Sequence, residues 1–122
     1  MNKHDYTPIF PYKSIRQSQS DAIDFILDEL IENKKRFVIL EAGTGVGKSA
    51  VGVTVGRYIN QACTAGERFK EGSYFVTTQK ILQDQYENDF GKRKGKMSSI
   101  KSSSNYTCTF HKRNTCQQSQ QI

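Results

Sequence analysis

Hydrophobic and polar residues alternate with two different periods along the first 90 residues, and these periods predict helices and short strands. Apolar side chains in residues 22–31 recur every three or four positions against acidic ones, which predicts an amphipathic helix ending near Asn33. A capping box is expected near its start, formed by one serine and one aspartate among Ser18, Ser20, Asp21 and Asp24.

Two short runs, residues 36–41 and 73–77, are rich in β-branched and aromatic residues and predict buried strands. A further short strand is possible at residues 98–102. Residues 79–90 predict a helix whose apolar face consists of Ile81, Leu82 and Tyr86. Strands that alternate with helices predict an α/β fold with parallel strands of the βαβ type.

The segment 48–62 is ambiguous by its own pattern, because residues 51–55 alternate like a strand. A glycine-rich turn stands directly before it, and this context favours a helix. Gly52 and Gly56 then lie four residues apart on one helix face, where they allow a close approach to the predicted sheet.

The composition changes after Gly91, and we predict a boundary there between residues 1–90 and residues 91–122. Residues 1–90 contain 11 Lys/Arg and 12 Asp/Glu, whereas residues 91–122 contain seven Lys/Arg and no carboxylate. All of the net charge of +6 therefore comes from the last quarter of the chain. Such a basic block is either a solvated tail or a contact for a polyanion such as nucleic acid.

The length of 122 residues predicts one domain, and no window has the roughly 18 apolar residues of a membrane span. No apolar segment at the N-terminus predicts export, so a cytoplasmic protein without a membrane partner is expected. The three cysteines are odd in number and unevenly spaced, which argues against a disulfide framework.

Residues 42–49, Ala-Gly-Thr-Gly-Val-Gly-Lys-Ser, have the pattern of a phosphate-binding loop between a strand and a helix. Glycines let the backbone curl so that its N–H groups converge on an anion. Lys48 supplies charge for the outer phosphates, and the hydroxyl of Ser49 suits Mg²⁺. A nucleoside triphosphate site is therefore predicted, and its members are Ala42, Gly43, Thr44, Gly45, Val46, Gly47, Lys48 and Ser49.

A P-loop ATPase also needs an acidic residue at the end of an apolar strand, which holds Mg²⁺ and activates water. The acidic residues after the loop are Glu67, Glu71, Asp84, Glu87 and Asp89. None of them ends an apolar strand in the predicted pattern. We therefore expect this chain to be the N-terminal piece of a longer machine or an abbreviated gene product.

Four segments in a fixed order resemble the DinG/XPD-like superfamily 2 DNA helicases that carry an iron–sulfur cluster. Residues 15–19 resemble the Arg-x-x-Gln of the family's Q motif, and residues 40–49 resemble its Glu-Ala-Gly-Thr-Gly loop. Residues 75–85 resemble motif Ia, and residues 100–108 resemble the Lys-Gly-Arg-x-Asn-Tyr-x-Cys stretch with Ser102 and Ser103 in place of Gly-Arg. The resemblance covers residues 10–116.

This resemblance implies a partial RecA-like motor domain that binds ATP and Mg²⁺, followed by the start of a cluster-binding insertion. It implies that Arg16 and Gln19 read the adenine and that Lys48 stabilises the transferred phosphoryl group. Contacts to single-stranded or forked DNA are expected from the motif Ia residues Thr77, Thr78, Gln79 and Lys80. The basic residues Lys92, Arg93, Lys94 and Lys96 are further candidates for nucleic acid, and the rest of the helicase chain is an implied partner.

The cysteines after residue 100 have more than one interpretation. The resemblance makes Cys108 the first ligand of a 4Fe-4S cluster and Cys116 a candidate second ligand, so the ligand set here is incomplete. A zinc site formed by Cys108, His111 and Cys116 is the rival, and two unligated cysteines are the third interpretation. Cys63 is expected to be an inert thiol.

Two other function classes stay open at this stage. One is a module that binds a nucleotide or nucleic acid without turnover, either as an independent protein or as a remnant. The other is a P-loop ATPase from another branch, and this class is favoured if no further cysteines follow.

Overall fold

The computed structural model describes residues 4–62, 72–91 and 97–107, with the backbone alone at Ala62. Two compact units, Met1–Phe75 and Val76–Ile122, divide the chain. The first unit contains helices α1 (Gln17–Leu27) and α2 (Lys48–Ala62), and the second contains α3 (Lys80–Tyr86). No helix in the described ranges is long and apolar enough to cross a membrane.

The predicted N-terminal helix is confirmed, and it continues without a break from α1 into a π-helical turn at Asp28–Glu32. The chain leaves the helix after Asn33, where Lys34 adopts a left-handed conformation with φ of 54°. The N–H group of Lys35 then donates to the Glu29 carbonyl at 2.9 Å, which closes the end of the helix.

The predicted cap of α1 is wrong, because the helix begins before both candidate serines. Arg16 occupies the N-cap position, and its carbonyl accepts hydrogen bonds from the N–H groups of Gln19 and Ser20, both at 3.0 Å. The side chain of Gln19 accepts the N–H of Arg16 at 3.1 Å, as the third helical residue of a capping box does. Ser18 and Ser20 therefore lie inside the helix.

A core between α1 and α2 holds the first unit together. Its buried members come from both helices and from the N-terminal residues, and they are Tyr6, Phe10, Ala22, Ile23, Leu27, Ala50, Val51 and Val55. Leu40, which precedes the phosphate loop, packs against this core. The start of α2 and the loop before it are therefore attached to the most buried part of the unit.

Residues 4–10, which we call the N-terminal strap, form one side of this core. The strap contains a 3₁₀ turn at Thr7–Ile9 and buries the ring of Tyr6. The Tyr6 hydroxyl donates to Asp24 of α1 at 2.9 Å and also lies 3.2 Å from the hydroxyl of Ser20. The polar first residues are thus part of the fold, although their sequence has no regular period.

His4 connects the strap to the C-terminal end of α1 and to α2. Its Nε2 lies 3.2 Å from a carboxylate oxygen of Asp28, and its Nδ1 lies 3.2 Å from the hydroxyl of Tyr58 in α2. This arrangement fits the tautomer with the proton on Nε2, because Tyr58 can then donate to Nδ1. The imidazole is buried and stands edge-on to the ring of Tyr58, with centroids 5.5 Å apart.

Gly52 and Gly56 share one face of α2 as predicted, but this face packs on Ser73 and Phe75 and not on a sheet. Phe75 comes within 3.8 Å of the position where Gly52 would carry a Cβ. Gly56 has still less room, since its Cβ would lie 2.9 Å from the Ser73 hydroxyl. Asn60 of α2 accepts the N–H of Gly72 at 3.1 Å and so holds the same segment.

The predicted parallel sheet is not confirmed, because residues 36–41 and 73–77 form no strand and pair with none in the described part of the chain. Phe37 and Ile39 are 85% and 91% exposed, whereas Val38 and Leu40 between them are half-buried. This alternation is that of a strand with one face on a core. A strand is defined by hydrogen bonds to a neighbour, and no neighbour lies beside these residues within the described ranges.

The predicted helix at residues 79–90 is confirmed as α3 followed by a π-helical turn at Glu87–Gly91. The predicted strand at residues 98–102 is wrong, and the regular structure nearest to it is a 3₁₀ turn at Ser103–Asn105. Asn105 stabilises this turn by donating from its side chain to the Ser102 carbonyl at 3.1 Å. Side-chain bonding to nearby backbone competes with strand pairing in this serine-rich segment.

Candidate functional site

The phosphate loop has the backbone conformation that its glycines allow. Gly45 and Gly47 adopt positive φ angles of 84° and 82°, which side-chain-bearing residues rarely accept. Helix α2 begins directly after the loop at Lys48. Within the described residues, the N–H groups from Gly43 to Gly47 make no hydrogen bond. They are therefore available to an anion.

Two side chains at the start of α2 carry the chemistry predicted for the loop. Lys48 is exposed, and its ammonium donates to the Ala42 carbonyl at 3.0 Å across the loop. Ser49 is half-buried. A phosphate is an anionic acceptor, whereas the Ala42 carbonyl is neutral, so Lys48 gains a Coulombic attraction when a phosphate replaces the carbonyl.

Arg16 reaches the phosphate loop from the N-cap of α1. Its Nη1 donates to the carbonyl oxygen of Gly45 at 2.6 Å, across 29 positions of sequence. The guanidinium is exposed on its other side, so it adds positive charge at the edge of the loop. Two cations, Arg16 and Lys48, are thus bonded to loop carbonyls.

Gln19 lies beneath the same loop and is only 3% exposed. Its Oε1 accepts the N–H of Arg16, and its Nε2 faces Gly47 so closely that a Cβ at that position would overlap it. The structure therefore brings both residues of the predicted Q motif against the phosphate loop. Each of them contacts a glycine with a positive φ.

The fit of Mg²⁺ to this site depends on the nucleotide. At the start of α2 the loop offers the hydroxyl of Ser49 as a ligand, and no group of three or more His, Cys, Asp or Glu in the described ranges is arranged to hold a metal ion. Mg²⁺ commonly binds through one or two protein ligands together with phosphate oxygens and water. The donor set fits MgATP and gives no reason to expect a metal before the nucleotide.

The candidate nucleic-acid residues of motif Ia lie at the start of α3 in the second unit. Thr78, Gln79 and Lys80 are exposed, and the hydroxyl of Thr77 accepts the N–H of Gln79 at 3.4 Å. Lys80 is the first residue of α3. Three exposed polar side chains in succession are consistent with a contact to a phosphodiester backbone.

The candidate cluster ligands Cys108 and Cys116 lie outside the described residues, as do Cys63, His111 and the basic residues Lys92, Arg93, Lys94 and Lys96. The segment before Cys108 is described. Lys101 donates from its ammonium to Asp84 of α3 at 2.6 Å, and its N–H donates to the Tyr106 hydroxyl at 2.8 Å. The hydrogen bond to Asp84 raises the pKa of Lys101 above its ordinary value.

Sequence reasoning missed two partners of the predicted site residues. It assigned Arg16 to the adenine and did not foresee the Gly45 carbonyl, because no local pattern links two residues so far apart in sequence. It also gave Asp84 no role, although this residue anchors Lys101. The charge pattern held a weak signal for the second pair, since Lys101 is the one cation in the otherwise neutral, serine-rich run 98–107.

Comparison with known proteins adds one family. No curated protein and no solved structure matches this chain. Residues 12–121 match the family described as type III restriction enzyme, res subunit, which is a helicase-type domain family of superfamily 2 with a RecA-like ATPase fold. The match includes the phosphate loop, both Q-motif residues and α3. This chain belongs to the type III restriction enzyme res subunit family.

Proposed function

We propose that this chain is the N-terminal, ATP-binding part of a DNA helicase that acts on single-stranded or forked DNA. The family supports an ATP-dependent nucleic-acid motor, and the finer assignment rests on the residues. The observation that carries the proposal is the loop itself. Glycines with positive φ angles leave its N–H groups open immediately before α2, with Lys48 bonded across it.

The loop binds the triphosphate of ATP in this proposal. N–H groups from Gly43 to Gly47 surround the phosphates, and the positive end of the α2 dipole faces them. Lys48 leaves the Ala42 carbonyl and neutralises the β- and γ-phosphates, while Ser49 ligates the Mg²⁺ that arrives with the nucleotide. Arg16 and Gln19 are the proposed contacts of the adenine.

Isothermal titration with MgATP tests this assignment on the full 122-residue chain. Lys48→Ala is expected to weaken binding at least tenfold, since it removes the ammonium that neutralises the phosphates. Lys13→Ala is the matched control, because it removes the same charge from an exposed position outside the loop. Equal affinity in the wild type and Lys48→Ala would show that the loop is not the nucleotide site.

Nucleic-acid binding is proposed for two groups of residues. Thr77, Thr78, Gln79 and Lys80 contact the sugar-phosphate backbone, and the basic run at residues 92–96 adds a contact independent of sequence. Changing Lys92, Arg93, Lys94 and Lys96 to Gln should flatten the dependence of single-stranded DNA affinity on salt. An unchanged slope identifies the run as a solvated tail.

The iron–sulfur assignment also belongs to the proposal. We place Cys108 as the first ligand and Cys116 as a second, with the remaining ligands supplied by the rest of the motor. The support is the resemblance of residues 100–108 to the family stretch that ends in the first cysteine. Iron near four atoms per chain in anaerobically purified full-length protein, lost in Cys108→Ser, would support it. Stoichiometric zinc would instead favour the site with His111.

A second candidate is a module that binds nucleotide without turnover. The observation that favours it is the lack of an acidic residue at the end of an apolar run after the loop. ATP turnover by the 122-residue chain at a helicase-like rate, abolished in Lys48→Ala, would exclude this candidate. Binding without turnover is expected for the chain by itself in both cases, so the full-length protein decides between them.

A further inference from the structure

Arg16 holds one peptide group of the phosphate loop. Its guanidinium donates to the carbonyl oxygen of Gly45 at 2.6 Å. The peptide bond that joins Gly45 to Val46 is planar and trans, so its C=O and its N–H point in opposite directions. A contact that fixes the Gly45 carbonyl on the Arg16 side therefore aims the N–H of Val46 the other way.

This orientation matters because the loop is built from residues that can rotate easily. Gly45 and Gly47 flank Val46, and glycine populates both signs of φ at similar cost. Rotation of the Gly45–Val46 peptide changes ψ of Gly45 and φ of Val46, and the freedom of Gly45 lowers the cost of a rotated peptide, which presents a carbonyl oxygen where a phosphate needs an N–H. An external donor that holds the carbonyl prevents this flip before any ligand arrives.

The position of Arg16 is itself fixed by local structure. Its carbonyl accepts hydrogen bonds from the N–H groups of Gln19 and Ser20, and its own N–H donates to the side chain of Gln19. Gln19 is buried beneath Gly47, so one side chain contacts both the backbone of Arg16 and the last glycine of the loop. The position of the Arg16 guanidinium is therefore determined by the start of α1, which packs in the core.

We propose that Arg16 is a positioning residue of the phosphate loop, which orients the Gly45–Val46 peptide for a triphosphate of any base. This inference rests on the proposed ATP site. The resemblance to the Q motif implies that Arg16 contacts the adenine. The role inferred here is a separate one, and binding of a triphosphate without a base can measure it. The ligand class that distinguishes the two roles is a base-free polyphosphate.

Titration calorimetry with Mg²⁺–tripolyphosphate and with MgATP, on the full 122-residue chain, tests the inference. Arg16→Ala is expected to weaken both ligands by a similar factor, roughly tenfold, since one charge-assisted hydrogen bond to the loop is lost. Arg16→Lys should recover part of the affinity for both, because an ammonium can donate to the Gly45 carbonyl. Lys13→Ala, which removes the same charge nearby, should leave both affinities unchanged.

A different result is expected if Arg16 contacts only the adenine. Loss of MgATP affinity with tripolyphosphate binding unchanged in Arg16→Ala would overturn the inference and leave the ATP site intact. Unchanged affinity for both ligands would overturn it as well. A wild-type chain that binds neither ligand would instead refute both the proposed function and this inference.

A second measurement covers the case in which Arg16→Ala is poorly folded. The amide resonance of Val46 should shift in Arg16→Lys relative to the wild type, because the donor to the carbonyl of the same peptide group changes. The Thr54 amide in the buried middle of α2 serves as the reference for the fold. A Val46 resonance that stays in place while Thr54 is also unchanged would overturn the inference.

Discussion

The side-chain amide of Gln19 and the α-carbon of Gly47 lie in such close contact that the loop has no space for a methyl group there. The two residues belong to different segments of the sequence, the segment 15–19 that resembles a Q motif and the phosphate loop. Their contact links the buried start of α1 to the last loop residue before α2. Glycine at position 47 is therefore required by its neighbour as well as by its own φ of 82°.

Gly47→Ala is expected to lower the free energy of unfolding by about 2 kcal/mol or more, since a left-handed alanine costs roughly 1–2 kcal/mol before the overlap with Gln19 is relieved. Gly43→Ala is the matched control, because a Cβ there meets no atom within 4 Å. It should change stability by less than about 0.5 kcal/mol. Urea unfolding of both variants measures the difference, and equal losses would contradict this account.

The two helical glycines of α2 should respond in opposite ways to alanine. Gly52→Ala is expected to stabilise the chain by about 0.5–1 kcal/mol through helix propensity, because its Cβ would sit 3.8 Å from Phe75. Gly56→Ala should destabilise it, because Ser73 and Phe75 lie 2.9 and 3.1 Å from the new Cβ. Thermal unfolding of both proteins measures the contrast. Stabilisation by both substitutions would show that residues 73–75 do not pack on this face.

Lys34→Gly is expected to stabilise the chain by about 1 kcal/mol, because glycine accepts the left-handed conformation at the end of a helix without the cost of a Cβ. Lys34→Ala removes the same charge and keeps the Cβ, so it should give no such gain. Chemical denaturation separates the two effects. A gain of equal size in both variants would assign the effect to charge.

Tyr6 should make stability depend on pH in alkaline solution. Burial raises the pKa of Tyr6 above its ordinary value, so the folded state keeps the phenol proton at a pH where the unfolded chain has released it. This contribution is complete below pH of about 10 and is lost as pH rises beyond it.

Urea unfolding between pH 8 and pH 11 measures the effect. Tyr6→Phe should cost about 1 kcal/mol at neutral pH, because the bond to Asp24 is lost, and should flatten the alkaline decline. Tyr12→Phe, at an exposed tyrosine, is the control and should keep the decline. An alkaline profile unchanged by Tyr6→Phe would contradict the role of this phenol.

The sequence was sufficient for the elements whose signals are local. Helix α2 was predicted with its observed bounds although residues 51–55 alternate like a strand, because a phosphate loop leads directly into a helix. The glycine face of α2 was also readable from the spacing of Gly52 and Gly56. In each case residues close in sequence determine the outcome.

The missed features depended on side-chain contacts that no hydrophobic period reveals, one of them local and the others distant in sequence. The start of α1 was misplaced because Gln19, rather than a serine, satisfies the N–H of Arg16. Ser20 instead contacts Tyr6, a partner that no helical period reveals. The bond from Arg16 to Gly45 belongs to the same class, and it required the fold to bring α1 beside the loop.

The predicted strands illustrate a third case, in which the local signal was present but its partner was not. Residues 37–41 have the alternating burial of a strand, with Phe37 and Ile39 outward. A β-strand needs backbone partners that a single segment cannot supply. Sequence patterns therefore predicted the alternating burial of this segment, whereas sheet formation depends on another strand.

The N-terminal strap determines where this domain can be cut. The family match begins at residue 12, yet Tyr6 and Phe10 are core residues and His4 connects Asp28 with Tyr58. A fragment that starts at the family boundary lacks Tyr6 and Phe10 and therefore exposes apolar surface of the core that includes Ile23 and Leu27. The evolutionary unit and the folding unit of this chain therefore begin at different residues.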